Sequence, residues 1–437
     1  MTKPIVAIVG RPNVGKSTLF NRLVGSRVAI VEDEPGTTRD RLYADVEWRD
    51  SAFTIVDTGG LLLDSPDVMG RSVKDQVAVA IEEADSIIFM VDVLDGVTPV
   101  DKELAELLRR SGKPVALAAN KADNEQRGYD AAQFYQLSLG DPLPVSTYHN
   151  TGISDLLDGV VERLPYVPPE EETGMLKVAI VGRPNVGKSM LLNAILGRER
   201  TIVDDRPGTT RDAIDTVFEH EGNRMLLIDT AGIRRRGRID VGIERYSVMR
   251  ALRAIDRADV ALLVTEATEP VTAQDAHIAG YVQQAFKGMV LVVNKWDLVE
   301  VESDRKHFTR EVRMRLKFMP YVPVVFTSAL HGRGIGDVLS AAVSVFESRQ
   351  KRVSTSQLNG AMQDILAGHA PPAVAGRKLK VLYATQAETN PPTFVFSVND
   401  PSLLHFSYRR YLENELRRRF DFQGTPLKLV FKRRSRE

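Results

Sequence analysis

The sequence VAIVGRPNVGKS occupies Val6–Ser17 and occurs again, without a single change, at Val178–Ser189. Each copy opens on four apolar residues, as a buried β-strand does, and closes on Gly-x4-Gly-Lys-Ser. Glycines at this spacing allow the backbone N–H groups of a loop to face phosphate oxygens at the start of a helix. The motif therefore predicts a phosphate-binding loop, and its repetition predicts two such loops in one chain.

Each loop contains a lysine and a serine whose roles follow from the motif. We expect the lysine, Lys16 or Lys188, to neutralise the charge of the β- and γ-phosphates, and the serine, Ser17 or Ser189, to bind Mg²⁺ through its hydroxyl. The other loop residues are predicted to contact the nucleotide, and they are Gly10, Arg11, Pro12, Asn13, Val14 and Gly15, and Gly182, Arg183, Pro184, Asn185, Val186 and Gly187.

The repetition extends well beyond the loops. Lys16 and Lys188 are 172 residues apart, and so are Asp57 and Asp229. In both copies continuous apolar runs alternate with amphipathic segments, a pattern typical of a parallel sheet covered by helices on both faces. We therefore predict two tandem α/β domains with doubly wound, mostly parallel sheets. Their predicted bounds are 1–166 and 176–350, joined by an acidic linker at 167–175.

The remaining segment, 351–437, has the pattern of a small α+β domain with a long helix before its last strand. It carries 15 Lys and Arg against 7 Asp and Glu, although the whole chain has 58 of each and no net charge. A basic unit attached to an acidic body indicates a polyanionic partner. The helical spacing of the apolar residues between Leu404 and Phe420 predicts that Arg409, Arg410 and Arg417 face outward.

The composition limits the class of protein. Hydrophobic residues make up 43% and charged residues 27% of the chain, which is typical of a globular protein. The apolar runs are shorter than the ~20 residues that a membrane-spanning helix needs, and the first residues do not resemble a secretory signal. The chain contains no cysteine, which excludes disulfides and thiolate chemistry. We expect a cytoplasmic protein.

A second motif follows a strand-like run in each copy, DTGG at Asp57–Gly60 and DTAG at Asp229–Gly232. In nucleotide switches such an aspartate supports the Mg²⁺ shell, and the last glycine N–H meets the γ-phosphate. The segment PGTTRD supplies a threonine upstream that we expect to cover Mg²⁺, Thr38 in one copy and Thr210 in the other. The predicted switch residues are Asp57, Thr58, Gly59, Gly60 and Leu61, and Asp229, Thr230, Ala231, Gly232 and Ile233. The predicted catalytic residues are Lys16, Thr38, Gly60, Lys188, Thr210 and Gly232.

A third motif, Asn-Lys-x-Asp, identifies the base. A carboxylate at Asp123 or Asp297 can accept hydrogen bonds from guanine N1–H and N2–H₂, whereas adenine offers no such pair of donors. The lysine stem can lie over the purine ring. The ordered series of motifs therefore predicts GTP as the substrate. The predicted base-binding residues are Asn120, Lys121, Ala122 and Asp123, and Asn294, Lys295, Trp296 and Asp297.

Two such domains followed by a small basic α+β unit resemble the Der (EngA) family of GTPases over essentially the whole chain. The resemblance implies a GTP-hydrolysing ribosome-assembly protein that acts on the large (50S) subunit and its rRNA. It also implies that 351–437 is KH-like, and we expect a monomer. That segment contains no Gly-x-x-Gly, the loop with which KH domains clamp a nucleic-acid backbone, so its RNA contact need not follow the usual mode.

Leu61 and Ile233 stand where Ras-like enzymes place a glutamine that orients the attacking water. Neither side chain can do this, so slow intrinsic turnover is expected. An alternative therefore stays open, in which the protein is a nucleotide-dependent RNA-binding scaffold with little relevant turnover. The arginine-rich segment Ile233–Arg238 is interpreted equally as a contact with RNA or a neighbouring domain, or as a solvated surface.

An asparagine at positions 13 and 185 resembles that of potassium-activated GTPases. In those enzymes its side-chain oxygen helps to hold K⁺ between the α- and γ-phosphates, and the cation stabilises charge in the transition state. The resemblance implies that K⁺ binds through Asn13 and Asn185, with backbone carbonyls supplied by 34–38 and 206–210. The alternative is that each asparagine only braces its own loop.

Overall fold

The structure, a computed structural model, describes residues 3–25, 43–58, 81, 84–164, 174–198, 200–201, 215–230, 247–269, 271–299, 305–374 and 376–433. The chain divides into two compact units, Met1–Glu170 and Glu171–Glu437. This division falls within the predicted linker, and the second unit contains both 176–350 and 351–437. The three predicted boundaries, at 166/167, 175/176 and 350/351, remain predictions.

The first unit contains a six-stranded sheet in the order β2-β3-β1-β4-β5-β6 among its described residues, and every neighbouring pair is parallel except β2 with β3. Strands β1 and β4 are buried along their whole length, as a sheet covered on both faces requires. The strands are β1 (Ile5–Val9), β2 (Tyr43–Trp48), β3 (Ser51–Asp57), β4 (Ser86–Asp92), β5 (Val115–Asn120) and β6 (Pro142–Pro144). The helices are α1 (Lys16–Gly25), α2 (Pro99–Ser111), α3 (Glu125–Asp130) and α4 (Ile153–Val161).

The second unit repeats this plan. Its described residues form a seven-stranded sheet in the order β13-β12-β11-β7-β10-β9-β8, parallel except where β9 pairs with β10 and β8. The strands are β7 (Leu176–Val181), β8 (Arg200–Thr201), β9 (Thr216–His220), β10 (Asn223–Ile228), β11 (Val260–Glu266), β12 (Gly288–Asn294) and β13 (Val324–Phe326). The helices are α5 (Lys188–Arg198), α6 (Ser247–Arg257), α7 (Ala273–Gln284), α8 (Arg305–Arg315) and α9 (Ile335–Gln350).

Residues 351–433 add a small α+β fold to the second unit. A three-stranded sheet, β16-β17-β18, contributes Phe394, Phe396 and Leu429 to a core completed by Leu412 and Leu416 from one helix. The elements are α10 (Thr355–Gly368), β14 (Ala373–Val374), β15 (Arg377–Lys378), β16 (Val381–Thr389), β17 (Pro392–Val398), α11 (Phe406–Phe420) and β18 (Lys428–Arg433). The predicted fold class, two tandem doubly wound domains and a small α+β unit, is confirmed.

Within the second unit, the α/β fold and the 351–433 fold are joined by buried polar contacts. Arg349, at the end of α9, is 2% exposed, and it donates to the Phe286 carbonyl (2.5 Å) and to the side chain of Asn390. Burial lowers the pKa of Arg349 to about 10, and the charge of Asp259 opposes that shift. The Gly424 carbonyl accepts from the amide of Met289 (2.8 Å), the second residue of β12. Removing 351–437 would therefore leave buried groups of the second α/β fold without partners.

Gly424 permits one of the closest approaches in this junction. Its φ is 66°, and a Cβ placed there would lie 2.3 Å from Cγ2 of the buried Val345. We expect Gly424→Ala to destabilise the second unit through backbone strain of about 1–2 kcal/mol and overpacking of about 1–3 kcal/mol. Gly376→Ala is the matched control, because Gly376 has a φ of 73° but open space around its Cβ position. Chemical denaturation of both variants checks this, and equal losses of stability would contradict the close contact.

Candidate functional site

The two phosphate loops lie at the carboxyl ends of β1 and β7, where the chain passes directly into α1 and α5. In the first loop the Lys16 ammonium donates to the carbonyls of Gly10 (3.0 Å) and Arg11 (2.8 Å). In the second loop Lys188 donates to Gly182 (2.7 Å) and to the carbonyl of Arg183. Burial lowers the pKa of Lys16, and the charge of Asp57 opposes this. Both lysines are thus held inside their loops by equivalent contacts.

Two of the three predicted magnesium ligands of the first copy, Ser17 and Asp57, are brought together by the fold. The Ser17 hydroxyl donates to a carboxylate oxygen of Asp57 at 2.6 Å, although the two residues are forty positions apart. A hydroxyl and a carboxylate at this distance supply the oxygen ligands that Mg²⁺ prefers, so the donor set fits the ion. In the second copy the amide of Asp229 donates to Asp215 (2.9 Å), and the backbone of Asp229 is left-handed with a φ of 57°.

The threonines of the Asp-Thr-x-Gly motifs have structural partners. The Thr58 hydroxyl donates to the Ile8 carbonyl (2.7 Å), and the Thr230 hydroxyl is 2.9 Å from that of Thr216. Their side chains are therefore used inside the fold. The other predicted switch residues lie outside the described residues, and their roles remain predictions; they are Thr38, Gly59, Gly60, Leu61, Thr210, Ala231, Gly232 and Ile233, together with 34–38, 206–210 and 234–238.

The asparagine of each Asn-Lys-x-Asp motif joins the phosphate loop to the base-recognition region. The Asn120 side-chain amide donates to the Val14 carbonyl (2.7 Å), and its oxygen accepts from the amide of Thr147 (3.0 Å). A Cβ at Gly15 would lie 2.2 Å from the Asn120 nitrogen, so this loop position requires glycine. The bonds therefore connect the phosphate loop, the Asn-Lys-x-Asp motif and the segment after β6 that contains Thr147.

The second copy repeats this bridge. Asn294 donates to the Val186 carbonyl (2.9 Å) and accepts from the amide of Ala329 (3.0 Å). A Cβ at Gly187 would lie 2.2 Å from the Asn294 nitrogen. Both asparagine side chains are therefore held between the phosphate loop and the strand end in the same way.

Both aspartates are exposed at the end of the sheet, where a ligand can reach them. Asp123 accepts from the Ser146 hydroxyl (2.7 Å) and from Arg127 (2.9 Å). In the second copy the pKa of Asp297 is lowered, mainly by the interaction of its carboxylate with the Ser328 hydroxyl. An ionised carboxylate is the acceptor that the two guanine donors need.

Each base-motif lysine is paired with an acid at the end of a neighbouring strand. Lys121 pairs with the buried Asp92, and Lys295 pairs with Glu266 at 2.6 Å. Partial burial alone would raise the pKa of Glu266, but the hydrogen bond and charge of Lys295, with the charge of Arg183, lower it. These acids were not predicted from the sequence.

The loop arginines have acid partners that were also not predicted. Arg11 pairs with Asp95 (2.6 Å) and lies 3.6 Å from Asp101, which is fully buried in the capping box of α2. Arg183 has the equivalent contacts to Glu269 and to the fully buried Asp275 in the capping box of α7. A signal was present in the sequence, because Asp92 and Glu266, Asp95 and Glu269, and Asp101 and Asp275 are each 174 residues apart, the spacing of the two Asn-Lys-x-Asp motifs.

One prediction for the basic unit is wrong. Arg417 does not face outward, because its guanidinium lies 3.5 Å from the ring centroid of Tyr321 and donates to the Thr425 carbonyl (2.7 Å). Arg410 is exposed as predicted, and Arg409 is partly exposed. Arg418 and Arg419 both pair with Glu415, and Arg419 also pairs with Asp364. The surface charge of this unit is therefore smaller than its residue count indicates.

Comparisons with known proteins cover the whole chain. The family described as "50S ribosome-binding GTPase" matches residues 5–121 and 177–295, and the family described as "KH-domain-like of EngA bacterial GTPase enzymes, C-terminal" matches 352–432. A protein named GTPase Der from Chloroflexus aggregans is 53% identical over 100% of this chain and 99% of its own length. Another from Moorella thermoacetica is 54% identical over 99% of both chains.

A solved structure of Aquifex aeolicus Era bound to GDP and AlF4⁻ has 23% sequence identity to this chain. The match covers 58% of this chain and 87% of the Era chain. The TM-score between the two structures is 0.31. In the part of this chain that the structure describes, no helix combines the length and apolar character needed to cross a membrane. Identity above one half along the full length of the Der proteins shows that this chain is a GTPase of the Der (EngA) family.

Proposed function

We propose that this GTPase acts as a switch in the assembly and stability of the large (50S) ribosomal subunit, in the cytoplasm and as a monomer. The observation that carries the proposal is the order of the two family matches, a 50S ribosome-binding GTPase twice and then a KH-like unit. The net charge of +8 on 351–437, from 15 basic and 7 acidic residues, supports rRNA as the partner of that unit.

We propose that each α/β fold binds one GTP through its own motifs. Lys16 and Lys188 would neutralise the β/γ charge, and Asp123 and Asp297 would select guanine. Ser17, Thr38 and Asp57 would hold Mg²⁺ in the first site, and Ser189, Thr210 and Asp229 would hold it in the second. When bound, Mg²⁺ neutralises charge on the β- and γ-phosphates. The contact of Ser17 with Asp57 supports this assignment.

We further propose that γ-phosphate sensing falls to the amides of Gly60 and Gly232. Leu61 and Ile233 supply neither a charge nor a hydrogen bond, so transition-state stabilisation must come from another group. The proposed group is K⁺ held by the side-chain oxygens of Asn13 and Asn185. Both side chains are exposed on the outside of their loops, which supports access to a ligand.

GTP turnover with and without 50S particles tests the proposed function. A GTPase switch that acts on this subunit is expected to hydrolyse GTP at least about tenfold faster with 50S particles, a change of about 1.4 kcal/mol in the activation barrier. Small (30S) subunits serve as the control and should give much weaker stimulation. The same rate with and without 50S particles would instead favour the RNA-binding scaffold. Deleting 351–437 is a poor alternative test, because the buried Arg349 would lose its contacts with Thr425 and Asn390.

A further inference from the structure

Helix α8 presents a stripe of cations to solvent. Lys306, Arg310 and Arg313 recur at intervals of four and three residues, and Lys317 follows four residues later in the turn that extends the helix. All four side chains are exposed and line one open surface. The opposite side of the segment, with Phe308, Val312 and Leu316, is buried. The cations are therefore on the outer surface of the second α/β fold, and we call them the α8 stripe.

The charge of the α8 stripe is not balanced by the acids that the structure describes. Glu311 pairs with Arg315, and within the described residues no carboxylate forms an ion pair with a member of the stripe. Glu300, Glu302 and Asp304 precede the helix in the sequence and lie outside the described residues. Like charges three or four residues apart disfavour a helix. The repulsion between these cations therefore destabilises α8 itself.

The first α/β fold shows that nucleotide binding does not need this charge. Its corresponding segment between the base motif and the next strand, 124–141, has a single basic residue, Arg127, against three acidic ones. Arg127 forms an ion pair with Asp123. The equivalent segment of the second copy, 298–323, contains six Lys and Arg against four Asp and Glu, and all six basic residues lie within 305–317 beside a single Glu. Because both copies carry the same nucleotide motifs, the stripe has another purpose.

The α8 stripe continues onto the 351–433 fold. The exposed Arg410 of α11 donates to the carbonyl of Lys317 at 3.1 Å, so its guanidinium lies at the end of the stripe. From Lys306 to Lys317 the stripe is about 16 Å long at the helical rise per residue. A single phosphate cannot contact all of it, whereas consecutive phosphates of a nucleic-acid strand can.

The described surface favours RNA over a membrane. A helix that lies on a membrane inserts an apolar face beside its basic one. The apolar face of α8 is buried in the fold. Among the described residues of α8, Met314 is the large apolar side chain that is exposed. Phosphate contacts without apolar insertion are characteristic of nucleic-acid backbone binding. The KH-like unit that provides Arg410 has its own basic excess.

We propose that the α8 stripe, extended by Arg410, is a second RNA-backbone docking surface, located on the second α/β fold and separate from the basic surface assigned to 351–437. It binds phosphates without reading sequence. The inference needs RNA as a partner but does not require stimulation by 50S particles, so the two proposals can fail independently.

The test compares two triple variants of the full chain in binding to a labelled RNA stem-loop across a salt titration. Arg310→Gln with Arg313→Gln and Lys317→Gln removes three of the four cations of the stripe. Lys102→Gln with Arg109→Gln and Arg110→Gln, on exposed positions of α2, removes the same charge elsewhere. We expect the stripe variant to bind about tenfold more weakly, and its slope of log K against log salt to be smaller by about 2–3. The α2 variant should bind within about twofold of the unaltered chain.

Each single substitution in the stripe should reduce the slope by about 1, and the GTPase rate without ribosomes should stay unchanged. An unchanged salt slope in the stripe variant would overturn the proposal. So would equal losses in both triple variants, because they would show only a long-range charge effect. Binding to phosphatidylglycerol vesicles that depends on the stripe, with unaltered RNA binding, would assign the surface to a membrane instead.

Discussion

Lys16→Ala is expected to abolish GTP binding in the first unit and to leave the second site intact, and Lys188→Ala is expected to do the reverse. Each ammonium is held by two carbonyls of its own loop, so it is positioned for phosphates before a nucleotide arrives. Loss of a charge in such a site should weaken GTP binding at least about 100-fold. Titration with a fluorescent GTP analogue measures the affinity of the altered site.

Two other lysines provide matched controls for this prediction. Lys113 donates to the Ala84 carbonyl (2.8 Å) in the first unit, and Lys287 donates to the Asp256 carbonyl (2.7 Å) in the second. Both make the same kind of contact away from the loops, so their replacement by alanine should leave both sites occupied. Loss of both sites in either loop variant would contradict independent binding.

GTP hydrolysis is expected to be at least about tenfold faster in K⁺ than in Na⁺ at equal ionic strength, which corresponds to about 1.4 kcal/mol in the barrier. Asn13 and Asn185 have φ values of 65° and 62°, and asparagine is favoured at such left-handed positions. Backbone conformation alone therefore explains an asparagine there, and a variant must separate that role from K⁺ binding.

The double variant Asn13→Gly, Asn185→Gly makes this separation, because glycine keeps the left-handed backbone and removes the side-chain oxygen. It should retain GTP binding, lose the acceleration by K⁺, and hydrolyse GTP at the unaltered chain's rate in Na⁺. Equal rates of the unaltered protein in the two salts, at saturating Mg²⁺ and GTP, would contradict the K⁺ site.

The parts of the site that are local in sequence were predictable. A phosphate loop needs a strand, two glycines, a lysine and a serine within a dozen residues, and each requirement is visible at Val6–Ser17. The duplication added a second, independent copy of the same pattern. The fold class followed, since continuous apolar runs that alternate with helices have few other solutions.

The contacts that join distant segments were not predictable in the same way. The sequence predicts that Asn120 contacts the nucleotide, which stays a prediction, but it gives no sign that the Asn120 amide also joins Val14 to Thr147. Helical spacing predicts that Arg417 faces outward. The prediction is wrong because Arg417 packs on Tyr321, which lies nearly a hundred residues earlier, in the α/β fold. Helical spacing describes one element and contains no information about the surface against which it packs.

The number of guanine nucleotides bound per unaltered chain tests the account most directly, because its central claim is that the chain contains two complete nucleotide sites. Equilibrium dialysis at saturating GDP, and separately with a non-hydrolysable GTP analogue, gives that number. Two nucleotides per chain are predicted in both cases, since both α/β folds hold the loop lysine and the asparagine bridge through equivalent contacts. One nucleotide per chain at saturation would contradict the account.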